Sequence, residues 1–502
     1  MSSAPGGRSL TQIVVRGVGL AGSGFVLSQA LTFAFYLVLA RLATPGDFGA
    51  MAAGSIAVGI GFVLAESGMM AALIYRRDRV EEAANTALVA TLLGGLGLSL
   101  LALLLAPLIG WYFQSERIGL VAAALSGYLV LRAGTIVPDA LMQRRFSFLR
   151  RVVVEPLAVL AFGITAIILC ARGLGVWGLV LGQYASVVVQ VVLGWALARW
   201  RPRLRLASFA IWKEMAEYGR HVLSGEMVHR FAAEIDTLVV GRFLGAPALG
   251  QYRYALRFAA QPFGALVNVG SFVLLPALAR ISDDEVRFRG AFTRAFRWMS
   301  VVAIPAGLIF VPLGTPLLLL LLGPTWRQAA IAIAAMGGYP AARAYDSLAS
   351  ETWKATGNPR RLPRMHLLSA ALSLVLMLAL VPFGLNGVAL ALSLVSIGVA
   401  AYAIRGMSQV VGLPVRFLLG EIWPPLLAAV VMAGSILALD RLVIQAGDRG
   451  AAAGLALLGA EGLLAVAVYL SVLALVRPRT GREILDGLRS LRRRQGVSAP
   501  AA

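Results

Sequence analysis

The sequence predicts an all-α polytopic membrane protein, with about fourteen transmembrane helices in two parallel six-helix repeats followed by two C-terminal helices. Three observations predict it: an excess of apolar residues, the number of apolar runs, and a corner that is written twice. Apolar residues make up 59% of the chain and charged residues 14%, with a mean hydropathy of +0.81. A soluble domain holds about 45–50% and 25% respectively.

A membrane span needs about 20 mostly apolar residues. Fourteen runs meet that need, at 18–40, 48–74, 85–110, 118–140, 152–171, 176–198, 221–243, 249–275, 296–322, 327–350, 365–383, 385–404, 422–440 and 451–476. The N-terminal stretch MSSAPGGRSLTQIVVRG is too polar to read as a signal peptide.

The formal net charge is +21. Its placement excludes nucleic acid as the partner, because the basic residues sit in short connections between apolar runs, as the positive-inside rule requires. With the N-terminus placed in the cytoplasm, 33 of the 45 Lys and Arg residues fall on that side, in segments such as YRRDR, QRRFSFLRR, RWRPRLR and KATGNPRR. Both termini are then cytoplasmic, and the number of spans is even. The opposite connections (GLGVW, GLNG, GPTWRQ) are too short to hold a domain.

The repeated corner is LVLARLATPGDFGAM (Leu37–Met51) and LVVGRFLGAPALGQY (Leu238–Tyr252), in ungapped register 201 positions apart. Arg41 aligns with Arg242 and Gly49 with Gly250. Six spans separate the copies, so the repeats keep one orientation and are related by an axis along the membrane normal. The expected organisation is an N-lobe over 1–200, an amphipathic cytoplasmic connector over 201–220, a C-lobe over 221–405, two further spans within 406–476, and a basic cytoplasmic tail over 477–502. In the connector, Leu206, Phe209, Trp212 and Met215 recur every three residues, which reads as a helix lying among lipid headgroups.

Polar residues inside spans are costly and mark candidate sites. They form stripes at helical spacing: Gln29, Thr32 and Tyr36; Ser55, Gly59, Phe62 and Glu66; Arg132, Thr135, Asp139 and Gln143; Glu226, Arg230 and Glu234; Arg253, Arg257, Gln261 and Asn268; and Arg343, Ser347 and Glu351. Guanidinium groups stay charged and grip phosphate in a fork. Arg132, Arg230, Arg257 and Arg343 are therefore candidates for an anionic substrate group, and Gln29, Tyr36, Gln261 and Asn268 for sugar hydroxyls. The acids Glu66, Glu234 and Asp236 are candidates for a coupling ion. Acids at comparable depth are at least as numerous as the arginines, which weakens the case for a net cationic passage.

Signs of an enzyme are missing. GVGLAG (Gly17–Gly22) and GLGVWG (Gly173–Gly178) match a nucleotide-binding glycine pattern, but neither follows a strand. The three histidines lack metal-ligand spacing, and the single cysteine, Cys170, excludes a disulfide framework. No cofactor or metal is expected.

The segments LARLATPGDFG, AESGMMAALIYRR, DTLVVGRFLGAPALGQYRYALR, LLPALARISDDE and KATGNPRR resemble bacterial polysaccharide flippases of the Wzx type, over most of the chain. That family shares a superfamily with multidrug exporters and the peptidoglycan-precursor flippase. The resemblance implies an inner-membrane exporter, not an enzyme, that moves undecaprenyl-diphosphate-linked oligosaccharides by alternating access for O-antigen, capsule or exopolysaccharide synthesis. It implies a polyprenyl-diphosphate-linked glycan and membrane lipid as partners, and it admits a polymerase and glycosyltransferases. A peptidoglycan-precursor flippase or a multidrug/cation antiporter is the alternative within the superfamily.

Overall fold

The computed structural model describes residues 10–66, 68–145, 150–260, 281 and 284–478. Among these there is no strand, and the chain divides into two compact units, 1–250 and 251–502. Nine segments of the described residues are long and apolar enough to cross a membrane, or ten counting one bent pair as a span.

In the first unit, α1 (Leu10–Leu42) turns into α2 (Pro45–Gly54). The corner is closed by a capping box. Thr44 N donates to Asp47 Oδ2 at 2.8 Å, the Thr44 hydroxyl accepts from Asp47 N, and Pro45 sits in the first turn, where its missing N–H costs nothing. Buried Asp47 does more. It pairs with Arg117 and accepts Val176 N at 3.1 Å, so one carboxylate ties together three connections.

The run expected at 48–74 is broken into α2, α3 (Ile56–Glu66) and α4 (Met69–Tyr75). Gly68 takes φ +67° at the second break, and a Cβ there would come within 2.5 Å of Gly219 Cα. Next come α5 (Val80–Tyr112), then α6 (Glu116–Ser126), α7 (Tyr128–Ala133) and α8 (Ile136–Arg144), which together make one candidate span, α9 (Glu155–Ala171) and α10 (Val176–Ala198). Arginines cap helix ends: Arg144 donates to the carbonyls of Leu73 and Ile74 at 2.9 and 3.0 Å, and Arg145 to that of Ala198 at 2.7 Å. A cation there satisfies orphan carbonyls and the negative end of the helix dipole.

The segment after α10 is fastened to α5, with Arg203 N donating to Asn85 Oδ1 at 2.6 Å and Ser208 N to Thr86 Oγ1 at 2.9 Å. From Phe209 one helix, α11, runs without a break to Phe243. The amphipathic stretch and the seventh expected span are thus one element. Its three-residue stripe does not hold together. Met215 is buried with Ile211, four residues away, while Phe209 and Trp212 are exposed and stack on each other at 5.1 Å. A spacing of three drifts around a helix of 3.6 residues per turn, so only the i,i+4 pair shares the buried face.

A helix over residues 245–260, α12, follows α11. Its first turn crosses α2 backbone to backbone: a Cβ on Gly49 would overlap the carbonyl oxygen of Ala246, and a Cβ on Gly250 would overlap that of Pro45. Only glycine fits at either place.

The second unit holds α13 (Glu285–Leu308), α14 (Phe310–Leu322), α15 (Arg327–Ala335), α16 (Tyr339–Ala355), α17 (Arg361–Leu380), α18 (Gly384–Val411), α19 (Val415–Leu439) and α20 (Ala451–Val476). The span expected at 296–322 bends by 51° between α13 and α14. Pro312 explains this, since its ring cannot share a straight helix with the carbonyl of Leu308. The continuous apolar segment 361–411 folds back on itself at Gly384 (φ +69°), so α17 and α18 pack together. Arg289 donates to the last carbonyl of α18, Val411, at 2.9 Å. Glu421 on α19 is 3% exposed and accepts from Arg297 of α13 at 2.9 Å and twice from Arg477 at 2.6 Å. This clamp fastens the two C-terminal helices to the unit.

Candidate functional site

In α3, Gly59, Phe62 and Glu66 stand three and four residues apart, which places them on one face. In α11, Glu226 and Arg230 are four apart and face the same way. The first unit brings the two faces together around a cavity of about 390 Å³, completed by Gly68 and Ala71 on the α4 side.

Gly59 is what admits the arginine. A Cβ at this position would overlap the Arg230 guanidinium. Arg230 Nη2 in turn pairs with Glu234 Oε1 at 2.9 Å, and the other carboxylate oxygen, Oε2, accepts the Thr237 hydroxyl at 3.1 Å. Glu234 is buried, whereas Glu226 is exposed and Glu66 half-buried.

Phe62 connects this cavity to α7. The Arg132 guanidinium lies 4.9 Å from its ring centroid and also donates to Gln190. Such a cation over an aromatic face is worth about 0.5–2 kcal/mol. Behind Arg132, the buried Thr135 hydroxyl donates to the Arg132 carbonyl at 2.9 Å, and Asp139 is buried. Gln143, the last residue of that stripe, is exposed.

The remaining expected residues lie elsewhere. Gln29 is exposed on α1, and Tyr36 is half-buried with its ring 6.2 Å from Phe48 and 6.1 Å from Phe162. Asp236 accepts Thr237 N at 2.7 Å. In the second unit, Arg257 is half-buried on α12, and Arg343 lies 3.5 Å from buried Asp346. Gln261 and Asn268 lie outside the described residues.

A larger cavity of about 1120 Å³ opens between α5 and α6, walled by Leu103, Pro107, Trp111 and Leu120 with Arg242 beside them. Among the described residues, no expected site residue lines it.

Two buried acids lie outside the polar stripes, each without an acidic neighbour at helical spacing. Glu421 is the carboxylate of the clamp described above. Glu461 on α20 is 1% exposed, and neither carboxyl oxygen has a hydrogen-bond partner among the described residues. A single acid within an otherwise apolar span was the available signal for both.

A family model described as "Polysaccharide biosynthesis protein" matches residues 38–331. The chain is similar to the succinoglycan biosynthesis transport protein ExoT of Rhizobium meliloti (strain 1021), at 26% identity over 326 residues covering 63% of this chain and 64% of that protein. It is also similar to the lipopolysaccharide biosynthesis protein WzxC of Escherichia coli (strain K12), at 25% identity over 328 residues covering 64% and 65%. These matches span just under two thirds of the relatives' lengths. The fold is that of a structure solved as "Lipid II flippase MurJ, inward closed conformation", with a TM-score of 0.75 at 15% identity, covering 92% of this chain and 99% of that one.

Proposed function

Because the chain belongs to the polysaccharide biosynthesis protein family, we propose that it is a flippase for undecaprenyl-diphosphate-linked oligosaccharides. It moves these units across the bacterial inner membrane for O-antigen, capsule or exopolysaccharide assembly. The observation that carries this reading is the cavity with three charged side chains, Glu66, Glu226 and Arg230, on its walls, inside a multi-pass membrane protein of this family. Membrane helices hold such groups where water, a partner or a substrate meets them.

In the proposed mechanism, two six-span repeats rock about a central passage while the polyprenyl tail stays in lipid along the last two spans. The reciprocal glycine crossing, built from residues that align 201 positions apart, supports the repeat reading. The basic caps Arg144, Arg145 and Arg289 at helix ends fit the proposed cytoplasmic face, on which both termini would lie. Arg132, Arg230, Arg257 and Arg343 are proposed to meet the diphosphate, with Gln29 and Tyr36 on the sugars. Glu66, Glu234 and Asp236 are proposed for the coupling ion.

The test is deletion of the gene. The lipid-linked repeat unit of a surface polysaccharide should accumulate on the cytoplasmic face, and the intact gene should clear it. Accumulation of the peptidoglycan precursor would move the substrate to the alternative reading. Accumulation of no lipid-linked intermediate would overturn glycan transport altogether.

A further inference from the structure

We propose that the groove between α5 and α6 seats one phospholipid with an amine-bearing headgroup, its acyl chain along the helices and its phosphate on Arg242. The inference goes beyond the transport reading and needs only a chain that crosses the membrane.

The groove has the shape of a chain. Ala106, Gly110, Gly119 and Ala123 make its floor. The two backbones run so close there that a Cβ on Gly110 would stand 3.1 Å from Gly119 Cα. Leu103, Trp111 and Leu120 form the banks, and each is exposed. From Leu103 to Tyr112 the helix rises about 14 Å, at roughly 1.5 Å per residue. That is close to half of the ~30 Å hydrocarbon core, the depth of one leaflet. The volume of about 1120 Å³ exceeds the roughly 300–1,000 Å³ of compact small-molecule sites.

One end of the groove is polar. Trp111 and Tyr112 stand there, at the close of a candidate span, where aromatic side chains meet the headgroups. Arg242 lines this end from the last turn of α11, half-buried, and Glu116 from the first turn of α6, exposed. Neither side chain has a hydrogen bond or ion pair among the described residues. A guanidinium grips phosphate in a fork, and a carboxylate accepts from an ammonium. A wall with one of each fits the phosphate and the amine of a zwitterionic headgroup, with the acyl chain laid between the apolar banks. Lipid seated this way ties the end of α11 to the α5–α6 pair.

The experiment uses the full chain in dodecyl maltoside micelles, which bring no phosphate. The probe is phosphatidylethanolamine carrying a diazirine in its acyl chain, and the photolabelled residues are mapped by mass spectrometry. Labelling should concentrate on residues 103–123, above the background on the exposed Leu367 and Val375 of α17. Excess unlabelled phosphatidylethanolamine should remove it, whereas diacylglycerol of the same chains should not. Arg242→Ala should lower labelling at 103–123 by at least about tenfold, the loss of one charge-assisted bond, and leave the α17 background as it was. Glu116→Gln should erase the advantage of phosphatidylethanolamine over phosphatidylglycerol as competitor. Leu120→Trp, which narrows the groove and keeps both charges, should lower labelling as well. Unchanged unfolding temperatures establish that the variants are folded. The proposal is overturned if diacylglycerol competes equally, or if Arg242→Ala labels like the parent. It is overturned too if phosphatidylglycerol displaces the probe better than phosphatidylethanolamine does. Better displacement by undecaprenyl phosphate would make the groove a seat for the carrier lipid instead.

Discussion

The Arg230 guanidinium occupies the space that a side chain at position 59 would need, and Glu234 holds it there at 2.9 Å. The relationship ties α3 to α11 through an absence of atoms on one helix and a charge on the other. Gly59→Val should therefore disturb the cavity before it disturbs the fold. Overpacking costs about 1–3 kcal/mol, most of it absorbed by moving the arginine. Export per inserted molecule should fall by about tenfold, with membrane abundance held. Loss of abundance in proportion to export would make Gly59 a packing residue only.

Arg257 provides the test of the diphosphate. On insertion scales an arginine within a span costs about 2.5–3.5 kcal/mol, which a substrate anion would help to offset. Arg257→Ala should leave the protein inserted and abolish glycan export, and Arg257→Lys should restore only part, because an ammonium keeps charge but loses the fork. Normal export per molecule in the alanine variant would remove Arg257 from the passage.

The Glu421 clamp should behave differently. Glu421→Ala removes the carboxylate that Arg297 and Arg477 share, and breaking a buried pair from one side costs about 3–5 kcal/mol. Thermal unfolding in detergent should shift sharply downward for Glu421→Ala and less for Arg477→Ala, which leaves Arg297 in place. Equal shifts would mean that the second arginine, not the shared carboxylate, holds the helices.

Glu461 should show the opposite sign. Its carboxyl oxygens are buried without partners among the described residues, and leaving a buried polar group unsatisfied costs about 1–3 kcal/mol. Glu461→Met should raise the unfolding temperature. A fall would show that the carboxyl is engaged in the membrane.

Orientation can be checked directly. Reporter fusions at Gly173 should read as periplasmic and those at Arg203 as cytoplasmic. A cytoplasmic signal at Gly173 would invert the proposed topology.

Much of this architecture is legible in the sequence because apolar length and cationic connections are local quantities. The Gly59–Phe62–Glu66 and Glu226–Arg230–Glu234 stripes were legible for the same reason, since helical periodicity alone puts each on one face. What sits opposite what was not. Nothing near Arg230 in sequence announces that Gly59 makes room for it, and the Arg297–Glu421–Arg477 clamp joins residues 124 and 56 positions apart. The bend before Pro312 and the break at Gly68 were hidden because membrane spans tolerate proline and glycine, so their presence did not forecast a kink. In the connector the stripe splits, because a spacing of three drifts around the helix and leaves Met215 buried but Phe209 and Trp212 exposed.

The crossing of α2 and α12 sets a timetable for synthesis. Gly49 and Pro45 leave the ribosome about two hundred residues before Ala246 and Gly250. At roughly 5–20 residues per second, the first corner waits about 10–40 s for its counterpart. During that interval α2 presents a bare glycine seam to lipid. Any factor that shields small-residue seams would act here, and a chain stopped short of residue 246 would keep its spans yet never finish its first unit.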